Sequence, residues 1–207
     1  MSERDDRPAR RGGRGLALAC ATVLVPGLGL GFGLGFGLGL ARPAEAQVPV
    51  TYTEAGRALF TFDAPDFWTL RSGGDRLVAD PETDVARPVA RIIGLQPTAD
   101  DHVWVGFIVP RGVTTMDQAA DYLRDIGPHL VRDPVMTGRT AARIGGLDAM
   151  RFTGSGRRNG RGVAFTAVTI DLPGPRVAVS VTVIEDGADP AWLGPVNEIY
   201  GSFRAAR

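Results

Sequence analysis

Cysteine is nearly missing from this chain: one residue in 207, Cys20. An intrachain disulfide framework and a thiolate metal site are therefore excluded, and thiol catalysis would have to rest on that one residue. Lysine is absent, so every basic residue other than His102 and His129 is an arginine. That reads as the coding bias of a GC-rich genome and not as a binding adaptation. Two histidines leave little material for a His-rich zinc site or a Ser-His-Asp triad. No G-x-S-x-G elbow occurs, and Ser155 sits in "TGSGR", a turn signal. A net charge of one sign is lacking too, since 23 arginines face 23 acidic residues. Such a balance offers no electrostatic basis for nucleic acid or an anionic membrane surface.

What is present begins with "GLGLGFGLGFGLGL", residues 27–40, where glycine alternates with leucine or phenylalanine. Alternation of this kind signals a strand, yet glycine weakens strand and helix interiors alike. The flanks explain it. Five arginines precede the tract (Arg4, Arg7, Arg10, Arg11, Arg14), and residues 16–40 carry no charge. Ala44-Glu45-Ala46 then offers the small-x-small form that signal peptidase reads, with Gln47 next. Charged start, apolar middle and small-residue exit are the parts of a secretory signal.

Twenty-five uncharged residues also suffice to span a bilayer. Retention as an anchor is therefore the competing expectation, and the low hydrophobicity of the glycines favours cleavage. Arg10-Arg11 lacks the apolar residue that usually follows a twin-arginine pair. Cys20 follows only four apolar residues, with Ala17 where a lipobox has leucine. The expected address is the periplasm or the exterior; the alternative is an inner-membrane anchor carrying a periplasmic domain. The expected organisation is a signal peptide over 1–46, a flexible segment over 47–54 and a single domain over 55–207. Residues 47–207 hold 17 of the arginines and 19 of the acids, so the domain is close to neutral.

Along that domain, "ALFTFDAP" (58–65) alternates like a half-buried strand, and "FWTLRSGG" is a second one ending at Gly73-Gly74. Residues 75–88, polar and broken by two prolines, read as a loop. "VARIIGLQP" and "HVWVGFIVP" are apolar at nearly every position, as central strands are. "TTMDQAADYLRDIGPHL" then changes to helical spacing, with capping-box spacing at Thr115 and Gln118 and an expected stop at Gly127-Pro128. Strands resume in "PVMTGRTAARIGGLDAMRFTGSG", "GVAFTAVTIDL" and "RVAVSVTVIED". Asn159-Gly160 and "LPGPR" form the tight turns of this meander. In "DPAWLGPVNEIYGSFR", Asp189 caps, Pro190 takes a first helical position, and Gly194-Pro195 breaks or restarts the helix. Strands, a helix, a meander and a closing helix indicate an α+β fold, an antiparallel sheet with packed helices.

These segments resemble a known family. "FTFDAPDFWTL" looks like the opening of PsbP-like and DcrB-like exported domains, "GRTAARIGGLDAMRFTGSG" like the segment before their final meander, and "VNEIYGSFR" like their last helix. The resemblance covers roughly residues 55–204. It implies an α/β/α sandwich, often in small exported proteins and lipoproteins, and in photosynthetic relatives a role in assembling or stabilising membrane complexes. It implies no catalytic residues and no cofactor.

The chemistry-bearing side chains are sparse. His102 stands beside Asp100 and Asp101, where an acid/base pair or metal is conceivable but a surface turn is the expected role. His129 at a helix end is expected to serve terminal carbonyls. "GSGRRNGRG" joins two strands and not a strand to a helix, so it is not a nucleotide loop. "DPETD" (80–84) lacks the spacing and turn glycine of a calcium loop. Trp68, Trp104 and Trp192 are expected in the core. Arg157, Arg158 and Arg161 at a hairpin tip are the candidate contact for a partner.

Three functions are weighed. The leading expectation is a non-enzymatic exported domain that binds a protein partner, such as a membrane complex. The alternative is a small-molecule or lipid-binding module with a pocket between sheet and helix, lined by Trp104 or Phe107. A hydrolase, requiring a histidine or carboxylate pair in a cleft, comes last. No cofactor, metal or nucleic acid is expected, and a membrane partner only if the leader is retained.

Overall fold

A computed structural model describes residues 46–74, 76–79 and 86–206. Cys20, the glycine tract, Ala44 and "DPETD" lie outside those residues. The strands are β1 (Gln47–Glu54), β2 (Arg57–Pro65), β3 (Trp68–Ser72), β4 (Arg76–Ala79), β5 (Ala86–Val89), β6 (Ile93–Pro97) and β7 (Val103–Ile108). After helix α1 (Met116–Leu130) come β8 (Arg132–Ile144), β9 (Leu147–Arg158), β10 (Arg161–Leu172) and β11 (Arg176–Glu185). A 3-10 turn (Pro190–Trp192), helix α2 (Leu193–Ser202) and the short β12 (Arg204–Ala205) close the chain.

The main sheet has seven antiparallel strands in the order β3-β6-β7-β11-β10-β9-β8. β11 lies at its centre, buried along nearly its whole length. Period-two alternation splits its residues between two cores. Val177, Val179, Val181 and Val183 join Ala119 and Phe152 beneath α1. Ala178 joins the opposite core, with Val196 and Ile199 of α2 and the aromatic residues of β1 and β2. Phe60 stacks on Tyr52 and Phe203 at 4.8 Å each, and Phe62 stacks on Phe107 at 4.6 Å. That second layer is itself partly sheet, in the order β1-β2-β12. The molecule is thus richer in sheet than the helix-flanked sandwich expected from sequence.

Several expectations are corrected by particular residues. The segment 47–54 is β1 and not a flexible lead-in, because Val50 and Tyr52 bury themselves on the aromatic core. Tyr52 also accepts from the Val109 amide and donates to the Arg91 carbonyl, tying the strand to the main sheet. Within 75–88, β4 and the start of β5 pair as a hairpin, so that stretch is not all loop. Gly127-Pro128 does not stop α1. Proline lacks an N–H and normally disrupts a helix interior, but here it falls in the last turn. The Val131 amide still reaches the Gly127 carbonyl at 2.9 Å. The meander has four strands, not three. Gly145 and Gly146, both at positive φ, make a two-residue turn between β8 and β9. β12 was not foreseen either; two residues carry too little pattern to be read.

Other features are as read. Thr115 caps α1 by accepting from the Gln118 amide. The reciprocal bond of the capping box shifts by one residue, the Gln118 side chain accepting from the Thr114 amide at 2.8 Å. Asn159-Gly160 turns β9 into β10, and Asp189 accepts from the Ala191 amide. The helix restarts at Leu193, one residue before Gly194-Pro195. Trp104 lies across the cross-strand glycine pair Gly94–Gly106, since a Cβ on Gly106 would enter its ring.

Candidate functional site

Helix α1 is strongly amphipathic, yet Ala119 is its only buried residue. Leu123, Ile126 and Leu130 on its apolar side stay half-exposed. The reason lies in the surface below. α1 packs on β8, β10 and β11, and β8 is the bulged edge strand of the sheet. The gap between them is a groove of about 340 Å³. Its floor is Phe152, Phe165, Ala167 and Val181; its walls include Ala120, Ile126, Gly127 and Met136. Small residues on both sides, Ala120 and Gly127 above and Ala167 below, leave the space unfilled. The volume falls at the small end of the roughly 300–1,000 Å³ of small-molecule sites.

Arg124 and Arg139 are the charged residues of this lining. Arg124 pairs with Asp121 at 3.0 Å, and Arg139 lies over the Phe152 ring, 5.6 Å from its centroid. Val135 and Met136, 60 and 61% exposed, extend the apolar surface along β8.

Past the end of α1 lies a second, polar cleft of about 560 Å³. His129, Arg132, Arg157 and Arg158 line it, and Leu130 and Val131 border both spaces. The three arginines proposed as a partner contact part company here. Arg161 is engaged with Glu185 at 3.1 Å, and that carboxylate is 3% exposed. Asn159 donates to the same carboxylate. Arg158 lies over the Trp104 ring at 5.7 Å. Among the described residues, Arg157 reaches only the Gly160 carbonyl, at 3.5 Å. Arg132, which sequence reading passed over, is its cross-strand partner. The pairing depends on a bulge in β8, and a bulge shifts register in a way that no residue pattern reports.

Asp100, Asp101 and His102 do converge, with one ligand atom of each within 4.8 Å of the others. Their bonding is that of a turn. Asp100 Oδ1 accepts from the His102 amide at 2.8 Å and meets Nδ1 at 2.6 Å, while Oδ2 accepts from the Trp192 indole at 2.7 Å. Hydrogen bonding, chiefly from the His102 backbone, holds the Asp100 carboxyl below its usual 3.8. Both oxygens are thus committed, Oδ1 within the β6–β7 turn and Oδ2 to the 3-10 turn before the closing helix. Trp104 borders the core under α1 and Phe107 lies in the opposite core, so neither lines the groove. Of the remaining named residues, Ala46 accepts from the Asp66 amide and Gln47 donates to Glu198.

No protein-family model and no curated protein matches the chain. Solved structures similar to it include a PsbP. That protein, the cyanobacterial PsbP of Synechocystis sp. PCC 6803, is 12% identical over 82% of this chain and 99% of its own, with a TM-score of 0.48. LpqN, involved in cell envelope biogenesis of Mycobacterium tuberculosis, is 19% identical over 78% of this chain and 91% of its own, with a TM-score of 0.46. A PsbP-like structure is thus among those similar to this chain. At these identities the likeness concerns the fold alone.

Proposed function

We propose that this chain is an exported, non-enzymatic binding domain, and that its ligand is the apolar chain of a small amphiphile seated between α1 and the main sheet. The carrying observation is the unfilled apolar side of α1. A helix of this pattern normally buries its stripe, and here Leu123, Ile126 and Leu130 face an open groove. Burial of such a surface by a ligand is favoured at roughly 25 cal/mol per Å² of apolar area. Export rests on the signal-like leader. The non-enzymatic reading rests on the engagement of Asp100 and His102 in a structural turn and on the apolar groove lining.

Binding of a dodecyl-chain probe, followed by calorimetry below its micellar concentration, tests this reading. Ala120→Phe should fill the groove and abolish binding while leaving the melting temperature unchanged or raised. Undiminished binding in a folded Ala120→Phe protein would reject the groove as the site.

A protein partner is the second reading, favoured by exposed Val135 and Met136 on the long edge strand β8. Edge strands that display apolar residues invite pairing by another chain.

A further inference from the structure

We infer that the groove selects a single-chain amphiphile with a monoanionic head, a fatty carboxylate, and that Arg124 of α1 and Arg139 of β8 receive that head. The inference rests on the groove reading above and adds the charge class of the ligand and the residues that read it.

What lines the groove carries it. Among the described residues of that lining, no side chain offers a carboxylate, a hydroxyl or an amide. Its strong hydrogen-bonding groups are the guanidiniums of Arg124 and Arg139, which donate and never accept. Both belong to the groove itself, and they come from opposite walls. On α1, Ala120, Arg124 and Gly127 follow at spacings of four and three, so they lie in one row along the helix. Arg124 is the long side chain of that row. Beside it the space is open, since a Cβ on Gly127 would meet nothing within 4 Å. On β8, Arg139 pairs with Phe152 of β9, and its guanidinium lies over that ring, 5.6 Å from the centroid. Phe152 is part of the groove floor, so this charge is held over the apolar surface where a ligand's chain would lie.

The polar end of a ligand in this groove therefore meets cationic donors. A cationic head is repelled, a neutral head finds donors but no acceptor, and an anionic head gains charge-assisted hydrogen bonds. Charge counting then sets the valence. Asp121 lies 3.0 Å from Arg124 and offsets one of the two positive charges, so the three groups together leave one positive unit. A carboxylate balances it. A phosphate monoester, at about −1.5 to −2 near neutral pH, would set its surplus charge against Asp121.

The test compares four probes with one tail, dodecanoate, dodecyl phosphate, dodecyl maltoside and dodecyltrimethylammonium, each below its micellar concentration, by calorimetry on the protein in the form its native cells produce. Dodecanoate should bind roughly tenfold more tightly than the maltoside, with the gap closing as salt is raised, and the trimethylammonium probe most weakly. Arg139→Met keeps a long side chain against Phe152 but removes the charge. It should narrow the gap and leave maltoside binding intact, and the double substitution Arg124→Met/Arg139→Met should erase it. Arg139→Lys should restore part of what Arg139→Met loses. A merely structural arginine would instead weaken every probe alike, which would overturn the inference. Equal affinity for dodecanoate and maltoside, or a gap undiminished in the double variant, would also overturn it and leave the groove reading standing. Dodecyl phosphate binding more tightly than dodecanoate would overturn the assignment of a monoanion. Failure of all four to bind would remove the inference and the groove reading together.

Discussion

At the scale of single residues, the polar side chains of this fold are mostly joints. Tyr200 places its hydroxyl 2.8 Å from Ser180 and 2.9 Å from Thr182, and burial pushes its pKa up. Glu185 anchors the β9–β10 hairpin through Arg161 and Asn159. Asp100 joins a turn to Trp192. Its folded pKa lies below its ordinary value, so the unfolded chain takes up a proton first as pH drops. The stability it contributes is present above about pH 4 and is lost as pH falls through the folded value. Asp100→Ala should cost about 1–3 kcal/mol at neutral pH and flatten the acid limb of stability. Urea midpoints across pH 2 to 7, read by tryptophan fluorescence, check both. An unchanged midpoint would mean that the indole bond contributes nothing.

At the scale of elements, α1 shows how a short segment and its surroundings divide the work. Its start is local: Thr115 and Gln118 exchange bonds with neighbouring amides, as their spacing foretells. Thr115→Ala should therefore lower stability by about 1 kcal/mol, seen as a lower melting temperature in circular dichroism. Its end is not local, because Gly127-Pro128 is a stop signal that the last turn overrides. The strands divide the same way. Val177 to Val183 and the Asn159-Gly160 turn are legible because period two and positive φ leave marks in residue type. β1, β4 and β12 are not legible: Pro49 argues against a strand within β1, and β4 and β12, with four and two residues, are too short to show a pattern.

At the scale of the whole molecule, two cores lie on either side of the seven-stranded sheet. The aromatic core lies under β1, β2 and α2, while the one under α1 opens into the groove. Among the described residues, no helix is long and apolar enough to cross a membrane. Residues 1–45 lie outside those described, and cleavage of the leader is tested directly. Intact mass of the protein from fractionated native cells should give a chain starting at Gln47. A mass that includes residues 27–40, recovered with membranes, would make the tract an anchor.

Sequence by itself determined the leader's pattern, the exclusion of disulfide frameworks and zinc-thiolate sites, the meander's turns and the helix cap. Each of these depends on residue type at short range: the charge-free run, the missing cysteines, the residues that tolerate positive φ and the side chains that reach a neighbouring amide. It also brought Arg157 and Arg158 forward as contacts. Only the tertiary structure decided which arginines are free, because the engagement of Arg161 depends on Glu185, 24 residues away in sequence. It likewise decided that Arg132 faces Arg157 and that an apolar groove opens beneath α1. Packing set both, since the bulge in β8 and the small residues Ala120, Gly127 and Ala167 meet only once the sheet has formed.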